Sequence, residues 1–142
     1  MIGKFLFNSV SSGFKLKDPL VYKTFFPLIF EEEKFLYKTI TYIFCGDDYI
    51  KNLNVEFLSH DTYTDILTFC LSDKTKPIIA EIYISIDRIR ENASLFKVSF
   101  DDELNRVMIH GLLHLCEYED HTPILKLNMK KREDYYLEKL NR

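Results

Sequence analysis

The sequence predicts an α+β fold: a single domain over residues 1–142, with a small mixed β-sheet packed with helices. Two observations carry that expectation. Segments rich in β-branched and aromatic residues alternate with stretches of helical periodicity, in the order β-α-β-α-β-β-α-α-α. The chain also has 142 residues, 46% hydrophobic, with only 4 Gly and 4 Pro and no linker-like tract, which suits one core.

Phe5, Phe7 and Val10 suggest a first strand, followed by the irregular Ser11-Ser12-Gly13 segment. Residues 19–37, opened by Pro19, read as a helix that is interrupted or entered near Pro27. Thr39–Cys45 is a strand stopped by Gly46-Asp47-Asp48, and Asp47 or Asp48 is placed to cap a helix carrying Ile50, Leu53 and Phe57. Thr64–Leu71 and Ile78–Ser85 are two strands whose short, turn-like connection permits an antiparallel hairpin. Ser85 caps a helix running to Phe96, with Asp87 in its positive first turn. Ser99 opens the next helix, which reaches about Cys116. A last helix spans Pro123 to Leu140, with Pro at a favoured first-turn position.

Composition narrows the class of protein. The 12 Phe and 9 Tyr argue against disorder, and a formal net charge of −3 excludes an indiscriminate polycation. Cys45, Cys70 and Cys116 lack CxxC spacing and sit among apolar neighbours, so they read as buried hydrophobes in a reducing compartment. Met1–Val10 carries no small-x-small cleavage pattern, and no apolar run approaches the roughly 18–20 residues of a membrane span. A cytoplasmic protein with no membrane partner is expected.

Histidine is scarce: His60, His110, His114 and His121. His110 and His114 stand at i and i+4, one above the other on the same helix face, and two imidazoles so placed can reach one metal ion. Leu104, Val107, Met108, Leu112 and Leu115 form an apolar stripe, and Ile109 and Leu113 lie on the other side. The helix is therefore expected to be buried, with its imidazoles needing polar partners. Alone, a His-x3-His pair is more often two hydrogen-bonded core histidines than a metal site. Pro123 prevents the preceding helix from continuing and lets the chain turn back, which makes Asp120 and His121 candidates for a third ligand. Three protein ligands would leave a fourth position for water, as in catalytic zinc. Cys116, two residues past His114, points elsewhere and reads as core. Gly111 stands where the zinc-peptidase pattern H-E-x-x-H has its Glu, which removes the peptidase base. A Gly inside a helix also costs ~1 kcal/mol against Ala, so something is expected to pack close to its backbone.

His110-Gly111-Leu112-Leu113-His114-Leu115-Cys116, with Tyr118 in register, resembles the signature H-G-x-L-H-L-x-G-Y-D-H of the YbeY family of metal-dependent endoribonucleases. Asn54, Thr64-Asp65-Ile66-Leu67-Thr68-Phe69 and Ala80-Glu81-Ile82-Tyr83-Ile84-Ser85 resemble its upstream segments. The likeness covers roughly residues 40–123. Three positions depart from it: Asp120 takes the register of the family's third His, Glu117 replaces the helix-ending Gly, and Leu58 falls where an Arg is common. The second departure predicts a different helix ending.

The resemblance implies one Zn2+ held by His110, His114 and Asp120, with Asp120 preferred to His121 by register. It implies cleavage of single-stranded RNA, with rRNA of the ribosomal subunit as partner, in 16S 3′-end maturation and ribosome quality control. His114 and Asp65 are the catalytic candidates; Asp65 could instead orient a ligand His, and Glu117 or Glu119 could serve in proton transfer. Lys126, Lys130, Lys131 and Arg132, with Arg88, Arg90 and Arg106 upstream, are the cationic candidates for phosphate contact. The competing reading is a metal-stabilised RNA-binding assembly factor without strong nuclease activity, which Leu58 favours. His60 and Tyr118 read as loop and packing residues.

Overall fold

A computed structural model describes residues 3–58 and 64–142, the last two residues before the gap in their backbone only. His60 and the side chain of Leu58 lie outside the described residues. The element order is β1 (Lys4–Ser9), α1 (Pro19–Glu33), β2 (Tyr37–Cys45), α2 (Asp47–Leu58), β3 (Ile66–Cys70), β4 (Ile78–Ser85), α3 (Ile86–Phe96), α4 (Phe100–Leu115) and α5 (Pro123–Leu140). The sheet order is β1-β2-β4-β3. β1 and β4 flank β2 in parallel, and β3 runs antiparallel to β4, the two forming a hairpin.

The two-residue period of the strands sorts their side chains between two cores. Ile40, Tyr42 and Phe44 of β2 and Ala80, Ile82 and Ile84 of β4 point to the main core, which α1, α4 and α5 complete. Cys45 and Leu67 point the other way, toward Ile50 of α2. Each fully buried Ile or Phe in such a core contributes about 1.5–3 kcal/mol against exposure. On α4, Met108, Ile109, Leu112 and Leu113 are all buried, so the helix is apolar nearly all round as its sequence suggests. Tyr42, itself buried, donates its hydroxyl to the Met108 carbonyl at 2.6 Å and pins this helix to the sheet. Opposite Ile82, Gly111 lets the backbone approach: a Cβ there would lie 3.0 Å from Ile66 Cδ1 and 3.2 Å from Ile82 Cδ1.

Three local expectations are corrected. α1 runs unbroken through Pro27 and stops at Glu33, where Lys34 turns left-handed at φ 66°. Phe26, Ile29 and Phe30 are buried on both flanks of Pro27, and that packing outweighs the hydrogen bond the ring removes. Neither Asp47 nor Asp48 supplies the cap of α2; the Asp87 carboxylate accepts from the Asp47 backbone N–H at 2.9 Å. Asp47 instead accepts from Arg88 Nε at 3.0 Å and from the Ser85 hydroxyl at 2.7 Å. Cys45 and Cys116 are buried, but Cys70 is exposed, because β3 is the edge strand at the end of the sheet.

Candidate metal centre

The last two turns of α4 present His110 and His114 to the same side, their rings edge-to-face with centroids 4.4 Å apart. The helix then ends in a turn that reverses the chain. Glu117 adopts φ 71°, its N–H reaches the His114 carbonyl, and the Tyr118 N–H reaches the Leu113 carbonyl, both at 3.0 Å. This is the ending a glycine would give, so the different ending expected from Glu117 is not found; a left-handed Glu performs the same turn. The reversed segment carries Asp120 back over the helix before Thr122 caps α5 through the Leu125 N–H.

Asp120 Oδ2 lies 3.4 Å from His110 Nε2 and 3.5 Å from His114 Nε2. One ligand atom from each of the three residues falls within 4.8 Å of the others, so the group could hold a metal ion. The outer ring nitrogens are already engaged. His110 Nδ1 is 2.6 Å from Glu133 Oε2, and His114 Nδ1 donates to the Tyr118 carbonyl at 2.9 Å. Each partner holds the Nδ1 proton and turns the Nε2 lone pair inward, the usual outer support of a metal-bound imidazole. Two imidazole nitrogens and one carboxylate oxygen are a donor set that suits zinc among other divalent ions.

Glu133 is buried, and its second oxygen accepts from Arg106 at 2.8 Å. Burial pushes the His110 imidazole toward its neutral form, but the adjacent Glu133 carboxylate outweighs it and raises the pKa. Burial also raises the Asp65 carboxyl, against the opposing pull of His110. Asp65 lines a groove of about 1020 Å³ together with His110, Asp120, Lys126 and Lys130.

Of the residues singled out above, His110, His114 and Asp120 come together, and Asp65 lines the same groove as His110 and Asp120. His121 does not join them: its side chain is 67% exposed, 3.9 Å from Glu119. Glu117 and Glu119 are exposed, and Cys116 is buried, its thiol pushed up to about 12 by burial. The cationic run is partly spent on the protein itself. Arg88 pairs with Asp47, Arg106 with Glu133 and Asp134, and Arg132 with Glu32 and Glu33. Arg90 lies over the Phe100 ring. Glu133 and the Tyr118 carbonyl escaped the sequence reasoning. A signal for Glu133 exists: it sits between Met129 and Tyr136 at i, i+4 and i+7, an acid on the buried stripe of α5.

Fold and site together define a small α+β protein with a two-histidine, one-aspartate group able to hold a metal ion. A model of the family described as Endoribonuclease YbeY matches residues 18–141, and the chain belongs to that family. It is 42% identical over 128 residues to the endoribonuclease YbeY of Cytophaga hutchinsonii, covering 90% of each chain. The corresponding protein of Amoebophilus asiaticus is 38% identical over 124 residues, 87% of this chain and 84% of that one. Among solved structures, the solution structure of TM1509 from Thermotoga maritima superposes with a TM-score of 0.62 at 28% identity, covering 96% of this chain and 88% of the other.

Proposed function

We propose that this protein is a zinc-dependent endoribonuclease that hydrolyses phosphodiester bonds in single-stranded RNA. The observation that carries the proposal is the convergence of His110 Nε2, His114 Nε2 and Asp120 Oδ2, at the edge of a groove that His110, Asp120 and Asp65 line. His110, His114 and Asp120 hold one Zn2+. When bound, such an ion supplies Lewis-acid polarisation of a water or phosphoryl oxygen and neutralises developing phosphoryl charge. Glu133 and the Tyr118 carbonyl keep the two imidazoles in the tautomer that leaves Nε2 free. Asp65, its carboxyl raised by burial, takes the proton of the attacking water or ribose hydroxyl. The P–O bond to the leaving oxygen breaks, and that oxygen takes a proton from solvent. Lys126 and Lys130 sit on the groove wall as phosphate contacts.

Membership of the family supports RNA as the substrate; within the proposal, the resemblance of the motifs implies rRNA, with maturation of the 16S 3′ end and ribosome quality control as the setting, in the cytoplasm and on the ribosomal subunit. Leu58 at the position of a common family Arg favours the second reading, a metal-stabilised RNA-binding assembly factor. Zinc-dependent cleavage of single-stranded RNA, measured on purified protein, separates the two. His114→Ala is expected to abolish cleavage and zinc retention while the far-UV circular dichroism stays native; undiminished cleavage by that variant would overturn the enzyme proposal.

A further inference from the structure

His114 also forms a wall of a second groove, of about 370 Å³, which the large groove does not include. One side is the chain between α1 and β2, from Lys34 to Leu36; the other is the β3–β4 connection from Ser72 to Pro77. A backbone hydrogen bond ties the two sides together. The Ile78 N–H donates to the Leu36 carbonyl at 2.9 Å across the two sides, and the Leu71 N–H donates to the Ile79 carbonyl at 2.7 Å within the hairpin itself. Within the connection, the Ser72 hydroxyl accepts from the Ile79 N–H at 3.0 Å and the Lys76 N–H reaches the Asp73 carbonyl at 3.1 Å. Lys34 is set in place by the left-handed end of α1.

The two grooves differ in charge. The large one carries Asp65, Asp102, Glu103, Asp120 and Glu133 against Arg106, Lys126 and Lys130, and its arginine is already paired. The small one carries Lys34, Lys74 and Lys76 against Asp73 and Glu117. Among the described residues, none of these three ammonium groups has a carboxylate partner. Leu36 is 77% exposed beside them, so the groove offers apolar surface as well as positive charge. That combination suits the backbone and an unstacked base of a single strand.

We propose that this second groove is a phosphate-binding flank of the RNA path. A single strand passes over the His110–His114–Asp120 site, and Lys34, Lys74 and Lys76 hold the backbone of the nucleotides on the His114 side. The inference rests on the proposal that the protein acts on RNA.

The test is fluorescence anisotropy of a labelled single-stranded 2′-O-methyl oligoribonucleotide titrated with zinc-loaded protein across a salt series, its integrity checked afterwards. For three lost phosphate contacts, the combined variant Lys34→Gln, Lys74→Gln, Lys76→Gln should show a log-affinity against log-salt slope shallower by about 2. Its affinity deficit should then widen about 20-fold between 200 and 50 mM salt. The matching Lys→Arg variant should keep the wild-type slope. Equal loss from neutralising the exposed Lys4, Lys15 and Lys23 would overturn the inference, as would an unchanged slope in the groove variant. Cleavage is scored separately. Wild-type protein that binds with the lysine-dependent slope but does not cleave would sink the nuclease and leave the flank standing. Cleaving protein indifferent to the three lysines would do the reverse.

Discussion

Glu133 Oε2 lies 2.6 Å from His110 Nδ1, across 23 residues of chain and from a different helix. The carboxylate is buried, and Arg106 holds its other oxygen, so His110 is oriented by a group that is itself oriented. Glu133→Gln keeps the shape and an acceptor oxygen but removes the charge that makes the imidazole a better donor to a cation. Arg106 retains Asp134, 2.5 Å away, which limits the cost to folding. Zinc affinity, measured by competition with a chromophoric chelator, should fall about 10–100-fold. An unchanged affinity would show that the pair serves only the packing of α4 on α5.

Glu117 occupies a left-handed conformation, φ 71°, at the turn that delivers Asp120. A side chain there crowds its own backbone, at a cost of roughly 1–2 kcal/mol that glycine escapes. The carboxylate is exposed. Glu117→Gly should therefore stabilise the protein by about 1 kcal/mol, part of the relief being lost to the greater freedom of the unfolded chain. Chemical denaturation checks this through a higher midpoint at constant slope, with zinc affinity unchanged. A lower midpoint would mean that the turn is held by contacts of the Glu117 side chain.

What the sequence showed and what it hid divide along the range of the interactions. Ser85 and Ser99 cap α3 and α4, and Pro123 opens α5, because these signals act within a few residues. The spacing of His110 and His114 is equally local, and so is the return of Asp120. The features that stayed hidden come from remote segments. Glu133 reaches His110 from α5, and Asp87 caps a helix that starts 40 residues earlier. Pro27 misled for a related reason: a breaker in isolation is overridden when Phe26 and Phe30 are buried on either side of it. Arg132, read as part of a cationic run, is committed to Glu32 and Glu33 about 100 residues upstream. Charge in a sequence is visible, but its neutralisation across a fold is not.

Gly111 offers a sharper test of packing at the site. Alanine is the better helix former by ~1 kcal/mol, which alone would make Gly111→Ala stabilising. Its methyl would, however, stand 3.0 Å from Ile66 Cδ1 and 3.2 Å from Ile82, which is fully buried and cannot yield freely. Overpacking of this kind costs typically 1–3 kcal/mol, so a net loss of about 1 kcal/mol is expected. Ile66→Val deletes the closest atom. Combined with Gly111→Ala it should cost less than the two changes added, giving a coupling of about 1 kcal/mol in a double-mutant cycle. Strict additivity would show that α4 moves off the sheet to accept the methyl.

The end of α1 and the face of α5 are joined by a carboxylate cluster whose protonation should destabilise the fold in acid. Glu32 accepts from Lys139 Nζ at 2.9 Å and the Tyr135 hydroxyl at 2.8 Å; Glu33 accepts from Arg132 Nε and the Tyr118 hydroxyl, both at 2.8 Å, and from the Tyr136 hydroxyl. Burial works against the charged form of both acids, but the hydrogen bonds from Lys139, Tyr135 and Tyr136 prevail at Glu32 and hold its carboxyl at about 2, below its ordinary 4.5. At Glu33 the hydrogen bonds from Tyr136, Arg132 and Tyr118 likewise prevail and lower the pKa. A carboxyl depressed in the folded state binds fewer protons there than in the unfolded chain. Its stabilisation is complete above about pH 4.5 and is lost as the pH falls toward 2. Melting temperature measured from pH 7 to pH 2.5 should therefore decline mainly below pH 4.5. Glu33→Gln, which removes the less exposed of the two charges, should lower the plateau at pH 7 and flatten the acid limb. An acid limb as steep in Glu33→Gln as in the wild type would place the titration elsewhere. Glu32 is more exposed and screened by solvent, so Glu32→Gln should change the curve in the same direction by less. A Glu32→Gln variant that flattened the limb more than Glu33→Gln would reverse that order and show that the tie to Lys139 and Tyr135, not the one to Arg132, carries the acid dependence.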